Sequence, residues 1–311
     1  MRKLGIILLI TVLSLVACQS NDETESGEES DDKLFVITSF TLIEDMVKQI
    51  GGDHIETYNM VPTGTDPHEY DPLPEDIKAA SDADVIIYNG FNLEGGDNGW
   101  LAKLADSSNI EDDIMYELMA GADPLYLSDD SGNEAEINPH TFLDPVLGIH
   151  MAENVIGALS EVDPDNEEFY QSNGDEYVAE LEDIANEYEE KISEIPEENR
   201  ILVTSERAYQ YLAERYGLTE GYLFQIDTEE TGTPEQITSL INFIEENDPP
   251  ALFVESNVDK RPMETISNET GVDIYGDIFS DEIGKPGEEG DTYAKFLQYN
   301  IDQIYNGLKS N

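Results

Sequence analysis

The sequence is short of positive charge, histidine and cysteine, and each shortage narrows what the chain can be. Fifteen Lys and Arg stand against 70 Asp and Glu, a formal net charge of -55. With no basic patch to replace phosphate counterions, nucleic acid is excluded as a partner. The one cysteine, Cys18, excludes an intramolecular disulfide and leaves stability to packing. Only 4 of the 311 residues are histidine, so each imidazole calls for a reason. The N-terminal apolar run, Leu4 to Val16, is too short for a spanning helix.

What is present is an ordinary core under an acidic coat. Hydrophobic residues make up 39% of the chain, with 16 Tyr and 10 Phe, which argues against simple disorder. The length suffices for two domains of ordinary size. Self-repulsion at this charge is tolerable where ions screen it, because the Debye length falls to about 3 Å at 1 M salt. The composition therefore predicts a halophilic acidic surface and lost stability at low ionic strength.

Residues 1–17 of "MRKLGIILLITVLSLVAC" read as a signal peptide: Arg2 and Lys3, an apolar stretch, then small residues before Cys18. "LVAC" resembles the lipobox of bacterial lipoproteins. That resemblance implies cleavage before Cys18, fatty acylation (palmitate) at Cys18 with diacylation of its sulfur, and a protein lipid-anchored on the outer face of the cell membrane. Residues 18–32, "CQSNDETESGEESDD", are small and acidic, as expected of a lipidated flexible tether. The fold should begin near Lys33.

"KLFVIT" reads as a buried strand, and "LIEDMVKQIGG" spaces apolar residues at three and four before stopping on Gly51 and Gly52. The same order recurs in "RILVTSERAYQYLAERYGL", with a strand ending at Ser205 and a helix running to Gly217. Further strands are "DADVIIYNG", "PPALFVES" and "VDIYGDIF". This alternation predicts an α/β fold of two similar lobes with mostly parallel sheets, over residues 33–165 and 197–311. Between them, Tyr177, Leu181, Ile184, Tyr188, Ile192 and Ile195 recur at helical spacing, predicting one long rigid helix over 166–196 that Pro196 ends. Such a joint restricts the lobes to small rocking.

Ligands of open parallel sheets sit beyond the carboxyl ends of the strands. Glu206 follows "ILVTS" and Asp281 follows "IYGDIFS"; His68 lies in "GTDPHEYDP" and His140 in "NPHTFLDP", two loops of one local pattern. Two residues come from each lobe, as suits a site at the lobe interface. Neutral imidazoles and two carboxylates carry a charge that balances a divalent cation. Imidazole with carboxylate suits manganese, iron and zinc, whereas calcium and magnesium prefer oxygen alone. Proline before each histidine presets the loops. His54 and His150 sit in no such pattern and read as ordinary surface or satisfied residues. Gly284, Gly287 and Gly290 are followed by no lysine and serine pair, so they are not read as a phosphate loop.

"DPHEYDP", "NPHTFLDP", "TSERAYQYLAERYGL", "FVESNVDKRPMETISNETG" and "IFSDEIGKPGEEGDTY" together resemble the metal-binding receptors of ABC importers, the cluster A-I family of manganese and zinc solute-binding lipoproteins, from about residue 33 to the end. The resemblance implies two α/β lobes joined by a rigid helix, with metal ligands His68, His140, Glu206 and Asp281. It implies capture of Mn²⁺, with Zn²⁺ or Fe²⁺ as the alternatives, and delivery to a membrane permease and its ATPase. Zinc receptors of the family usually place a third histidine where Glu206 stands, and many have a histidine-rich loop where this chain has acidic "LSDDSGNEAEIN". Both departures favour manganese.

The residues alone leave rivals. Glu206 would serve as a helix cap and Asp281 as a turn residue. A metallohydrolase would need an open coordination position and a general base, and four protein ligands leave little room for either. A surface adhesin would bind host matrix regardless of His68. Asp66, Asp144 and Arg207 adjoin the four residues and are candidates for orienting them, since ligating imidazoles donate their second N–H. The expectation is a monomeric receptor with no catalytic residue, losing affinity as pH drops through about 6 to 7.

Overall fold

The last five residues of β1 (Leu34–Phe40) are buried on both faces, as befits a strand inside a parallel sheet. The computed structural model that shows this describes residues 33–128, 134–226 and 232–309. The leader, Cys18 and the tether lie outside them. The sheet has the order β2-β1-β3-β4, with β2 (Ile55–Val61), β3 (Val85–Tyr88) and β4 (Met115–Glu117), every pair parallel. Helices α1 (Thr41–Gly51), α2 (Pro74–Ser81) and α3 (Trp100–Ser108) supply the crossovers. Leu42, Ile43, Met46, Val47 and Ile50 form the buried stripe of α1. That helix stops at Gly52, whose φ of +52° a side chain rarely adopts and whose Cβ would meet the Phe169 ring at 2.9 Å.

A short antiparallel ribbon, β5 (Tyr126–Ser128) and β6 (Glu134–Ile137), then leads to His140. Helix α4 (Pro145–Val162) follows, with proline in its first turn and the Asp144 carboxylate accepting from Val146 N at 2.9 Å.

Helix α5 (Glu167–Glu194) is the predicted joint, about 42 Å long at 1.5 Å per residue. Its buried stripe holds Tyr177, Leu181, Ile184, Tyr188 and Ile192, extended upstream by Tyr170 and Gly174. Gly174 lets α4 come close: a Cβ there would meet Ile156 Cδ1 at 2.2 Å. Ile195 turns to extended backbone before Pro196 and ends the helix.

The second lobe repeats the first on a smaller scale. Strand β7 (Ile201–Glu206) pairs in parallel with β8 (Thr219–Phe224). Strands β9 (Leu252–Glu255) and β10 (Ile274–Ile278) form a second parallel pair, with β9 alongside β7. Helices α6 (Gln210–Tyr216), α7 (Pro234–Asn247) and α8 (Arg261–Thr270) accompany them. The strand expected to end at Ser205 includes Glu206, and a 3₁₀ turn over Arg207–Tyr209 precedes α6.

The C-terminal helix α9 (Tyr293–Lys309) is a second bridge. Tyr293 N donates to Asp45 of α1 at 2.8 Å and its hydroxyl donates to Phe142 O at 2.7 Å, both in the first lobe. Tyr188 of α5 donates to Leu297 O at 2.8 Å. One apolar core accordingly runs from Ile37 and Val85 through Leu181 and Phe296 to Leu202 and Phe253. A smaller core covers the far face of the second lobe with Val203, Leu252, Val254, Leu240 and Met263. Residues 33–311 thus form one compact unit.

Candidate metal centre

His68 comes from the loop after β2, His140 from the loop after β6, Glu206 from the last position of β7 and Asp281 from just beyond β10. All four lie at carboxyl ends of strands, and the structure brings them together. Donor atoms of His68, His140 and Glu206 lie within 4.8 Å of one another. Nε2 of His140 is 3.2 Å from Glu206 Oε1 and 3.3 Å from Asp281 Oδ1, and Nε2 of His68 is 4.0 Å from the same Asp281 oxygen. His140 and Glu206 have no exposed surface, and Asp281 has 3%.

Burying these groups is costly unless something satisfies them. Among the described residues, Nε2 of both histidines, both Glu206 oxygens and Oδ1 of Asp281 make no hydrogen bond. Five partnerless polar atoms on four clustered side chains are what a cation would satisfy. The donor chemistry fits: two imidazole nitrogens, and carboxylates whose charge balances a divalent ion.

Each donor is held from behind. Asn138 Oδ1 lies 2.7 Å from His140 Nδ1 and accepts from His140 N at 3.1 Å, so Nδ1 carries the proton and Nε2 is left as the donor atom. Asn138 Nδ2 donates to Arg207 O at 2.9 Å and to Gln210 Oε1 at 3.0 Å, tying this loop to the second lobe. Around His68, Asp66 Oδ1 accepts from His68 N at 2.7 Å, and Trp100 Nε1 donates to Pro67 O at 2.8 Å. Asp281 Oδ2 accepts from Asn257 at 3.3 Å and lies 3.2 Å from the Ser280 hydroxyl, which leaves Oδ1 to face the centre.

Electrostatics in the metal-free protein follow this geometry. Burial alone would lower the pKa of His140, but Glu206 and Asp281 outweigh it and push it up to about 10. Burial raises Asp281, yet the charge of His140, with that of His68 behind, holds it down at about 2. A proton on His140 thus occupies the place a cation would take. Behind Glu206, burial pushes Glu255 up to about 7, against the pull of its amide hydrogen bonds.

Two expectations need amending, and one rival reading falls. Glu206 does not cap a helix through its side chain. Asp144 does not orient a donor: one carboxylate oxygen caps α4 by accepting from Val146 N and the other pairs with Arg215. Arg207 turns outward to Glu220, with Nε to Oε1 at 2.9 Å, and offers the centre only its carbonyl through Asn138. Of the proposed orienting residues, only Asp66 reaches a histidine, and it holds the backbone rather than the ring. His54 packs on Phe169 with ring centroids 4.3 Å apart, and His150 lies 3.0 Å from Ala120 O.

Sequence reasoning passed over Asn138, Asn257, Ser280 and Glu255. Asn138 stood in the quoted "NPH", where an amide two residues before a histidine can reach its ring. Glu255 carried no local signal, since its partners are about 50 residues upstream.

Comparison with known proteins agrees with this picture. A family model described as zinc-uptake complex component A, periplasmic, matches residues 36–307. The chain is 44% identical over 99% of both lengths to the metal ABC transporter substrate-binding lipoprotein SsaB of Streptococcus sanguinis. It is 43% identical, again over 99% of both lengths, to the manganese ABC transporter substrate-binding lipoprotein PsaA of Streptococcus pneumoniae. Among solved structures, the Mn-bound periplasmic metal-binding protein of Candidatus Liberibacter asiaticus superposes with a TM-score of 0.80 at 26% identity, covering 89% of this chain and 100% of that one. The periplasmic zinc-binding protein TroA of Treponema pallidum gives the same values.

Proposed function

The chain belongs to the zinc-uptake complex component A family, and on that premise we propose that its strand-end centre captures Mn²⁺ outside the cell, with Zn²⁺ and Fe²⁺ as the competing ions. The protein is the substrate-binding receptor of an ABC importer rather than an enzyme, and it works with a membrane permease and its ATPase. It stands on the outer face of the membrane as a lipid-anchored protein. Cys18 is the proposed attachment point, and tethering keeps the receptor at high effective concentration beside its permease.

The reading rests on one observation, the five partnerless donor atoms carried by the clustered side chains of His68, His140, Glu206 and Asp281. Asp281 offers one free oxygen and Glu206 two, which allows five-coordination with the two imidazoles, a number manganese accepts more readily than tetrahedral zinc. Zinc still stands above manganese in intrinsic affinity, so selection rests on conformation, release and availability as well as equilibrium binding. The shared core along α5 and α9 limits the lobes to small movements. Release would therefore start in the loops: Gly64 N, near His68, donates to Glu282, next to Asp281, and that link must part.

The test is elemental analysis of protein purified without added metal, followed by titration with Mn²⁺ and Zn²⁺, alone and in competition, at molar salt. Tight binding of one ion per chain is expected. Protein that carries no divalent ion and gives no heat with either would end the reading.

A further inference from the structure

The structure assigns Glu255 as a positioning residue that sets the metal-facing geometry of Glu206, with Glu94 doing the equivalent for the His140 loop. Glu255 lies on β9, has no exposed surface and reaches no donor atom of the centre. Its Oε2 accepts from Ser205 N at 3.1 Å and its Oε1 from Glu206 N at 3.0 Å, so one carboxylate clamps two successive amides at the end of β7. In the first lobe, Glu94 is 3% exposed, and its Oε1 accepts from Asn89 N at 2.8 Å and its Oε2 from Gly90 N at 3.1 Å, just past the end of β3. The held Asn89 then donates from Nδ2 to Pro139 O at 3.0 Å, directly before His140.

The chemistry explains why both are glutamates. Two parallel N–H groups need two acceptors, which only a carboxylate supplies; a glutamine turns one end into a donor aimed at an N–H. Without the clamp, two buried amides lose their partner, each at a cost comparable to a lost hydrogen bond. Burying a third carboxylate so near Glu206 is unfavourable in itself. Its retention is accounted for by what it fixes: Glu206 has both side-chain oxygens free of hydrogen bonds, and before the ion arrives its side chain faces only His140, at 3.2 Å, so its backbone sets where the carboxylate stands. A ligand fixed in advance loses less entropy on binding. Glu255 is therefore to Glu206 what Asp66 is to His68, a carboxylate that holds the backbone behind the donor.

This assignment rests on Glu206 being a metal ligand, so the experiment carries Glu206→Ala as a reference. In the full chain at molar salt, Mn²⁺ affinity, the electron paramagnetic resonance spectrum of bound Mn²⁺ and the metal-free melting temperature are measured for wild type, Glu206→Ala, Glu255→Gln and Glu255→Asp. Glu255→Gln is expected to bind Mn²⁺ at least tenfold more weakly with an altered spectrum, and Glu255→Asp, an acceptor one methylene short, to fall between it and wild type. A Glu255→Gln protein that melts lower yet binds Mn²⁺ with wild-type affinity and spectrum would overturn the assignment. If Glu255→Gln does not fold, the same readouts on Glu255→Asp decide. Wild-type binding by Glu206→Ala would instead overturn the ligand set itself.

Discussion

At the scale of single residues, the centre is a competition between a proton and a cation for His140. Because Glu206 and Asp281 hold its pKa at about 10, competition extends well above the window of about 6 to 7 expected of an unperturbed imidazole. Apparent Mn²⁺ affinity should rise about tenfold per pH unit from pH 7 to 8.5, as calorimetric titration would read. For the metal-free protein the sign is reversed. Between pH 7 and 9 the folded chain keeps a proton on His140 that the unfolded chain has lost, so stability is complete below the unfolded histidine value and drains away toward pH 10. Glu255, raised to about 7, contributes in the same direction at lower pH. Metal-free melting temperature is expected to fall by about 3 °C per pH unit over that range. A flat melting profile would show that His140 is not paired as described. His140→Ala should weaken Mn²⁺ binding at least 100-fold while leaving the circular dichroism spectrum unchanged. Its neighbour Asn138 was legible once the quoted tripeptide was read for reach as well as for turns.

At the scale of elements, the two long bridges matter most. Helix α5 was readable because its stripe of Tyr, Leu and Ile at three and four is a local pattern. The role of α9 was not, since Tyr293 acts through Asp45 and Phe142, which lie more than 150 residues upstream. Gly148 of α4 makes room for that contact, because a Cβ there would sit 2.2 Å from the Tyr293 hydroxyl. Gly148→Val should therefore cost about 1–3 kcal/mol through overpacking, measured by denaturant unfolding, and should disturb the helix that ties the lobes. In the loops, the Gly64 to Glu282 hydrogen bond joins segments carrying His68 and Asp281. Glu282→Ala is expected to speed metal release up to about tenfold, the net worth of one exposed hydrogen bond, as followed by stopped-flow chelation. An unchanged off-rate would remove this link from the release path.

At the scale of the whole molecule, charge and metal set stability from outside the core. We propose that the charge of -55 is adaptation to salt, so the metal-free melting temperature should rise steeply between 0.1 and 2 M NaCl as repulsion is screened. Salt-independent melting would refute it. Metal at 1,000 times its dissociation constant should add about 4 kcal/mol of stability by mass action, and at the same metal concentration His140→Ala should cut that increment to about 1.4 kcal/mol or less.

The sequence by itself determined the fold class, the long helix and the four residues at the strand ends, because strand alternation, helical spacing and Pro-His and strand-terminal patterns are local properties of the chain. Tertiary structure alone decided that the lobes share one core, that Asp144 pairs with Arg215 and Arg207 with Glu220, and that Asn257 and Glu255 stand behind the donors. Those outcomes depend on which groups 13 to 248 residues apart come within hydrogen-bonding distance. That is fixed by packing direction and strand order, which no local pattern encodes.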